Sequence, residues 1–378
     1  MALGGGGARA AYHAGVLSAV AHELPDLEVP IFTGISAGAI NTAYLANHTG
    51  DFRKRAAGLA ELWLGLETAD VFDARAYPIL RRAAAIVSRL VLGSARNAPI
   101  QSLIDATPLR RTLRRVLEAH DSVLPGVQEN LQSGSLRAVA LTTTCYSTGQ
   151  SVTFFSGRDI AAWERPQRRS VATELGVEHV MASSALPFVF PPVRIGDLHY
   201  GDGAIRLVAP FASAVHLGAD RVFAVSTRYQ RGWEEANQPT FEGPPSASQL
   251  IGVLYNAIFL DLLDQDALTM ERVNRLIDAL PEGKREGLRT VRLLVIRPSQ
   301  DLGAMANRYE PDLPRPFRFL TRRLGTQRSR SQDFLSTLMF QPEYLRALYE
   351  LGVRDAESRR QEIHAFLAPR NASEEKRV

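Results

Sequence analysis

The chain has 378 residues, of which 45% are hydrophobic and 22% charged, and its 44 basic and 40 acidic residues leave a net charge of only +4. This composition excludes disordered, collagenous and disulfide-scaffold proteins. The small net charge argues against a nucleic-acid partner, which requires a concentrated basic face. The single cysteine, Cys145, excludes an intramolecular disulfide and a cysteine-based zinc site. We therefore expect a soluble α/β protein of a reduced compartment.

No targeting or membrane-spanning segment is visible in the sequence. The opening residues lack a basic region followed by an apolar run, so we predict no signal peptide. No window reaches the ~18 uninterrupted apolar residues of a membrane span. These patterns predict a cytoplasmic protein without a transmembrane segment.

The first elements alternate between helix and strand. After the glycine run at residues 4–7, apolar residues at helical spacing predict a helix that ends at Pro25. Residues 29–33 predict a strand, and residues 34–38 (GISAG) lead into a second apolar helix. A glycine loop, helix, strand, sharp turn and helix in this order predict a parallel sheet with helices on its faces.

Residues 51–130 are predicted to be mostly helical, with a helix beginning at Thr107-Pro108. The later segments predict further strands, one more helix at residues 171–183, and a proline-rich loop or edge at residues 186–193. The predicted strands are at residues 136–144, 151–155, 221–226 and 291–296, with a hairpin-like stretch that ends at residues 200–204.

A break rich in glycine, proline and serine at residues 237–248 divides the chain. We expect a catalytic region at residues 1–235 with a helical insertion around 51–130. A mainly helical region at residues 236–378 follows, with one further core strand near 290–297.

Ser36 lies in a Gly34-x-Ser36-x-Gly38 sequence between a predicted strand and a predicted helix. This context is typical of a nucleophile elbow, in which small flanking residues allow the serine to occupy a strained turn. The helix that follows favours negative charge at its beginning. The alternative is a chance match in a glycine-rich chain.

The glycine run is the second candidate feature, because consecutive glycines direct backbone N–H groups at one anion. No Lys-Ser/Thr pair follows, so the phosphate-loop signature fails. The dinucleotide signature is imperfect, with Ala10 as its last position and no acidic residue closing the second strand. Beside a GxSxG turn, an oxyanion hole is the favoured interpretation. Arg9 either stabilises this loop or lies exposed at the start of a helix.

A serine nucleophile needs a proton acceptor, which is most often a histidine held by a carboxylate. No histidine lies in a loop typical of a triad base; the eight are His13, His22, His48, His120, His179, His199, His216 and His364. His199 is the strongest because it precedes Asp202 by three residues. Asp202 competes with it, although an Asp-Gly pair is also common in turns.

Four segments resemble the patatin-like phospholipases in order and context. They are residues 3–15 (LGGGGARAAYHAG), 34–38 (GISAG), 182–193 (ASSALPFVFPPV) and 202–204 (DGA). Residues 107–110 (TPLR) and 216–220 (HLGAD) also look like family segments. The resemblance covers about residues 1–230, and Ala10 departs from it because the family usually has glycine there.

The resemblance implies an α/β, three-layer α/β/α fold with a mostly parallel central sheet and a helical C-terminal extension. It also implies a Ser-Asp dyad without metal or cofactor, with Ser36 as nucleophile and Asp202 as proton acceptor. The family's oxyanion loop corresponds to Gly5, Gly6, Gly7, Ala8 and Arg9, its elbow to Gly34 and Gly38, and its DGA motif to Asp202, Gly203 and Ala204.

An exposed carboxylate with a pKa of ~3.9 is a poor base for a serine hydroxyl. Burial in an apolar site raises that pKa toward the working range. We therefore expect Asp202 to be buried beside Ser36 with few charged neighbours.

The leading hypothesis is a serine acyl hydrolase, a phospholipase A or lipid esterase, that works through an acyl-enzyme on Ser36. Two alternatives stay open: a lipid acyltransferase with the same dyad, and a catalytically weak lipid-binding or scaffold protein of the same fold. The expected partners are a lipid substrate and a membrane or lipid surface, contacted peripherally at its inner face.

Seven arginines in residues 308–330, interleaved with Phe317, Phe319, Leu320 and Leu324, are candidates for such a surface. We favour the alternative, in which the arginines form a solvated face and the aromatic side chains pack against the rest of the domain. The apolar stretch at residues 250–263 is either a core helix or a lid.

Overall fold

A computed structural model describes residues 1–73, 104–237, 262–312 and 333–368, together with residues 102, 250 and 253. These residues contain ten strands in one mixed sheet. In chain order the strands are β1 (Ala2–Leu3), β2 (Ile31–Ile35), β3 (Ala138–Cys145), β4 (Gln150–Gly157), β5 (Glu164–Arg165), β6 (Arg168–Ala172), β7 (Val193–Ile195), β8 (Leu198–Asp202), β9 (Arg221–Val225) and β10 (Arg292–Ile296).

Fourteen α-helices surround this sheet in the described residues. They are α1 (Ala11–Glu23), α2 (Ala37–Asn47), α3 (Phe52–Leu64), α4 (Thr68–Val71), α5 (Thr107–Val116), α6 (Pro125–Ser133), α7 (Val177–Ser183), α8 (Ala212–His216), α9 (Trp233–Ala236), α10 (Leu262–Ala279), α11 (Leu302–Ala306), α12 (Asp333–Leu338), α13 (Pro342–Ser358) and α14 (Arg360–Leu367).

The sheet is mostly parallel, as the alternation of helix and strand predicts. Its strand order is β10-β9-β1-β2-β3-β4-β6-β5, with β8 beside β3 and β7 beside β8. The pairs from β10 to β3 and the β4–β6 pair are parallel. The antiparallel pairs join β3 to β4 and β8, β5 to β6, and β7 to β8.

Strand residues alternate between two hydrophobic cores, one on each face of the sheet. In β9, Phe223 and Val225 belong to the core that contains α1, α2 and α13, whereas Val222 and Ala224 face the side covered by α8 and α10. Successive strand side chains point to opposite faces, so helices are needed on both. The result is the three-layer α/β/α fold.

The helix predicted at residues 171–183 is wrong in its first half. Residues 168–172 form β6, which pairs in parallel with β4, and only Val177–Ser183 are helical. Residues 168–172 are extended because they pair with the edge of β4. That partner is distant along the chain, so the pairing leaves no pattern in the local sequence. The other predicted strands are present with ends shifted by a few residues.

The C-terminal helix α13 packs along α1 in the core of the first region. A Cβ on Gly15 would lie 2.0 Å from the Tyr349 carbonyl oxygen, and one on Gly352 would lie 2.3 Å from the Tyr12 oxygen. The two helices therefore touch backbone to backbone, and Tyr344 and Leu348 share a core with Leu17.

Several sequence predictions fall where the structure gives no description. The division expected near residue 235 stays a prediction, because residues 238–249 lie outside the described residues. The same holds for most of the apolar stretch at 250–263 and for the arginine cluster beyond Arg308. Among the described helices, none combines the length and the hydropathy needed to cross a membrane, and the cytoplasmic location stays a prediction.

Candidate active site

Ser36 occupies a strained turn between β2 and α2. Its backbone angles are φ 55° and ψ −132°, outside the regions that L-residues ordinarily adopt. A Cβ on Gly38 would lie 2.2 Å from the Leu3 carbonyl oxygen, and one on Gly34 would lie 2.4 Å from the Gly38 oxygen. The two glycines of GxSxG are therefore required by close backbone contacts around the serine, as the elbow interpretation expects.

Ser183 and Ser184, for which the sequence predicts no role, hold this turn in place. Ser183 Oγ accepts a hydrogen bond from the Ser36 N–H at 3.1 Å and donates to the Thr142 oxygen at 2.6 Å. Ser184 Oγ donates to the Ser36 oxygen at 2.9 Å. The only signal in the sequence was their presence in a segment that resembles the family.

The register of β3 brings Asp202 beside Ser36. On one edge of β3, Ile35 of β2 lies opposite Thr142, and the next residue, Thr143, lies opposite Asp202 of β8. β8 therefore continues the sheet where β2 ends. Ser36, the residue after Ile35, and Asp202, the last residue of β8, meet at this junction.

The Asp202 carboxyl group is fully buried, as expected, and its backbone is held on both sides. Its N–H donates to the Ala185 oxygen at 3.0 Å, and Thr144 Oγ1 donates to its carbonyl oxygen at 2.8 Å. Oδ1 accepts from the Ala204 N–H at 2.9 Å. Among the described residues, Oδ2 has no partner within ordinary hydrogen-bond geometry.

Burial raises the pKa of Asp202 from 3.8 to about 7, and the Ser36 hydroxyl and the Ala204 N–H oppose this change. The Ser36 hydroxyl lies close enough to lower the pKa of the carboxyl group, although the contact falls outside strict hydrogen-bond geometry. Catalytic contacts are commonly long in a resting enzyme and shorten when substrate binds. Desolvation is the dominant cause of the raised pKa, and no charged side chain of the described residues contributes to it.

The glycine run lies directly against Ser36. A Cβ on Gly5 would lie 3.1 Å from Ser36 Cβ and 3.7 Å from its Oγ. Thr227 Oγ1 donates to the Gly5 oxygen at 2.6 Å, which fixes the peptide on one side. In the part of the chain that the structure describes, the N–H groups of Gly5, Gly6 and Gly7 donate to no protein oxygen, so they are available to an anion.

The end of this loop differs from the expectation. The Arg9 N–H donates to the Gly6 oxygen at 3.1 Å, and the Arg9 side chain is buried against α12. Arg9 is therefore buried and holds the loop through these contacts, and the assignment of Ala8 and Arg9 to an oxyanion loop stays a prediction. Ala10 has φ −69°, a helical value open to any residue, so the turn does not require glycine there.

The histidines occupy structural or exposed positions. His13 is fully buried beside the Asn41 amide, and burial lowers its pKa to about 3, so it is neutral. His199 is exposed. Because it precedes Asp202 by three strand residues, it points to the opposite face of β8. His216 stacks on Trp163.

A cleft whose empty space, counted out into open solvent, is about 690 Å³ opens beside Ser36. Its walls are almost entirely apolar and come from α2–α5, the proline-rich loop, the end of α12 and the residues just after it. They include Ile40, Leu62, Trp63, Leu66, Leu109, Leu113, Leu186, Phe190, Leu338 and Phe340. Such a cleft suits a hydrocarbon chain. In the described residues, no cluster of His, Cys, Asp or Glu side chains is arranged to hold a metal.

An α/β fold with a serine on a strained elbow, a buried carboxyl group and a glycine loop is typical of serine acyl hydrolases. Residues 1–215, more than half of the chain, match the family model described as patatin-like phospholipase. The chain belongs to the patatin-like phospholipase family. Membership supports ester-bond lipid acyl hydrolysis in general.

The structure is also similar to the crystal structure of VipD from Legionella pneumophila. The sequence identity is 14% and the TM-score 0.35, with 94% of this chain and 66% of the VipD chain covered. The chain thus spans just under two thirds of the length of VipD. No curated protein sequence matches the chain.

Proposed function

We propose that this protein is a serine lipid acyl hydrolase that cleaves ester-linked acyl chains through an acyl-enzyme on Ser36. The observation that carries the proposal is the buried Asp202 carboxyl group, which has a raised pKa and lies beside the strained serine. A carboxylate with a pKa near 7 is matched to general base catalysis at neutral pH. The adjacent apolar cleft suits an acyl chain.

In the first step, Ser36 Oγ attacks the ester carbonyl carbon and its proton passes to Asp202. The negative charge that develops on the carbonyl oxygen is stabilised by the N–H groups of the Gly5–Gly7 segment and by the N-terminal end of α2. The ester C–O bond then breaks, and the proton on Asp202 passes to the departing alcohol oxygen.

In the second step, water enters and gives its proton to Asp202 while its oxygen attacks the acyl carbon. The bond from the acyl carbon to Ser36 Oγ breaks, Oγ recovers the proton, and the fatty acid leaves. An alcohol in place of water would give acyl transfer, which product analysis with an added alcohol distinguishes.

The proposed role of Asp202 predicts a rising pH profile for acylation. Asp202 accepts a proton only as a carboxylate, which predominates above its pKa of about 7. We expect kcat/KM for a neutral ester to rise from pH 5 and level off above pH 8. A profile that is flat across this range, or that falls, contradicts the role of Asp202.

Labelling with a fluorophosphonate, followed by peptide mapping, tests the nucleophile. We expect the label on Ser36 and its loss in Ser36→Ala, whereas Ser213→Ala, at a buried serine of α8, retains it. If the folded wild-type protein takes no label and cleaves no ester but binds lipid, it is a lipid-binding protein of this fold.

The proposed contact with a lipid surface is supported by Phe188 in the proline-rich loop. Its side chain is 69% exposed and its φ is +64°, a strained value for a bulky residue. Its neighbours Leu186 and Phe190 line the cleft beside Ser36. Insertion of Phe188 into a lipid surface would bring the loop that forms the cleft wall to the source of substrate.

A further inference from the structure

The glycine loop is attached to a helix from the far end of the chain through Arg9. Within the described residues, Arg9 Nε donates to Ser336 Oγ at 2.6 Å, and Nη2 donates to Asp333 Oδ1 at 2.6 Å and to the Asp333 carbonyl oxygen at 2.9 Å. The Arg9 residue is only 2% exposed. A buried guanidinium requires paired acceptors, and α12 supplies three of them.

The partners of Arg9 are themselves fixed in position. Ser336 Oγ donates to the Asp333 carbonyl oxygen at 2.7 Å, so it presents a lone pair to Arg9. Tyr344 also lies close to Arg9, but burial raises its pKa well above the usual range and its hydroxyl donates to the Leu302 oxygen. Tyr344 is therefore neutral, and within the described part of the chain Asp333 is the carboxylate that pairs with Arg9.

The same helix touches the loop directly and forms part of the cleft. Gly7 has φ +57°, and a Cβ there would lie 2.2 Å from the Thr337 carbonyl oxygen. Thr337, Leu338 and Phe340 line the cleft together with Gly7 and Ser36. Thr68 Oγ1 donates to the Phe340 oxygen at 2.8 Å, which attaches the residues after α12 to α4, another wall of the cleft.

We propose that Arg9 is a positioning residue whose attachment to Asp333 and Ser336 fixes the N–H groups of Gly5–Gly7 at the distance that the oxyanion requires. The inference rests on the proposed function. It makes α12, which lies beyond the family-matched residues 1–215, part of the catalytic unit. Donors act at 2.7–3.1 Å from the oxyanion, and a displacement of about 1 Å costs about 10²-fold in rate.

Asp333→Asn is the most direct test, because it removes the charge while keeping the size of the side chain and the carbonyl oxygen. The matched control is Glu23→Gln, since Glu23 pairs with Arg360 at 2.6 Å and also joins α1 to the C-terminal helices. Glu23 lies at the other end of α1, about 18 Å from the glycine loop.

The substrate for this test is a short water-soluble ester, p-nitrophenyl acetate, whose acyl group does not reach Leu338 or Phe340. We expect Asp333→Asn to lower kcat about 10- to 100-fold, with KM changed by less than a factor of about two. Glu23→Gln should leave both constants unchanged. Arg9→Lys should retain several times the kcat of Arg9→Met, because an ammonium group still pairs with Asp333 but lacks the second donor to Ser336.

Amide hydrogen exchange of residues 4–9, where the Gly4 and Arg9 N–H groups donate to the Val225 and Gly6 oxygens at 3.1 Å, gives a readout that does not depend on turnover. At a temperature where circular dichroism shows every variant folded, exchange there should be faster in Asp333→Asn and unchanged in Glu23→Gln. A wild-type kcat together with wild-type exchange in Asp333→Asn overturns the inference while Ser36-dependent turnover stands. If the wild-type protein shows no Ser36-dependent turnover, the proposed function fails, and the exchange result alone decides whether the attachment fixes the loop.

Discussion

The nucleophile elbow and the glycine loop lie in contact, but they are held by different parts of the chain. The elbow is fixed by nearby backbone at Leu3 and Gly38 and by Ser183 and Ser184, all within residues 1–215. The glycine loop depends on Thr227 and on α12, beyond that region. The difference indicates that the proposed nucleophile and the proposed oxyanion hole can be perturbed separately.

The largest expected effect comes from replacing Asp202, whose carboxyl group lies beside the elbow. Asp202→Asn removes the proton acceptor at nearly constant size, and we expect kcat to fall by about 10⁴-fold, the scale seen when a triad aspartate is replaced. Steady-state kinetics on a soluble ester measures it. Single replacement of each histidine by alanine is the control, and a comparable loss from any of them would contradict the dyad.

The same substitution should stabilise the protein at alkaline pH. Because folding raises the Asp202 pKa from 3.8 to about 7, the wild type loses stability as pH rises through this window, by about 4 kcal/mol in total at about 1.4 kcal/mol per pKa unit. Asp202→Asn does not carry this cost. Urea unfolding should show the variant gaining stability over the wild type at pH 8 relative to pH 4; an equal difference at both pH values would contradict the raised pKa.

Gly7→Ala should damage the loop more than the elbow. The new methyl group would meet the Thr337 carbonyl oxygen at 2.2 Å and would lie on a residue with positive φ, which costs about 1–3 kcal/mol of stability through overpacking and backbone strain. Gly134→Ala is a suitable control, since that glycine has φ +84° but nothing within 4 Å. We expect kcat to fall only in Gly7→Ala, and equal kinetics in the two variants would contradict a catalytic role for the close contact between Gly7 and Thr337.

Ser183→Ala tests whether the elbow is held locally. The substitution leaves the Ser36 N–H and the Thr142 oxygen without their partner, at a cost of about 1–3 kcal/mol. We expect a smaller loss of kcat than from Asp202→Asn and no change in amide exchange at residues 4–9. Faster exchange in the glycine loop would show that the two regions are not independent.

The smallest effect is expected at the lipid surface. Phe188→Gly relieves the strained φ and removes the exposed ring, so vesicle binding should weaken by about 10-fold or more, since burial of a Phe side chain is worth about 1.5–3 kcal/mol. Turnover of a soluble ester should be unchanged. Val208→Ser, at an equally exposed side chain, controls for loss of apolar surface, and an equal loss of vesicle binding in both variants would contradict a specific role for Phe188.

Where adjacent residues decide the structure, the sequence was informative. The glycines of residues 34–38 and the helix after Ser36 predicted the elbow, because steric limits on a tight turn act within a few residues. The helix predicted at residues 171–183 overlaps the last two residues of β6, because the conformation of β6 is set by its partner β4. Ser183, Ser184 and Arg9 could not be given their roles, because their partners lie far away in the chain.

The sequence alone determined the α/β class, the position of the candidate nucleophile and the set of candidate proton acceptors. These depend on periodicity, turn chemistry and family motifs, which are local. Tertiary structure decided that Asp202 meets Ser36 through the register of β3, that burial raises its pKa, and that α12 attaches to the glycine loop. Register, desolvation and buried ion pairs arise only when distant segments pack together, so no stretch of sequence displays them.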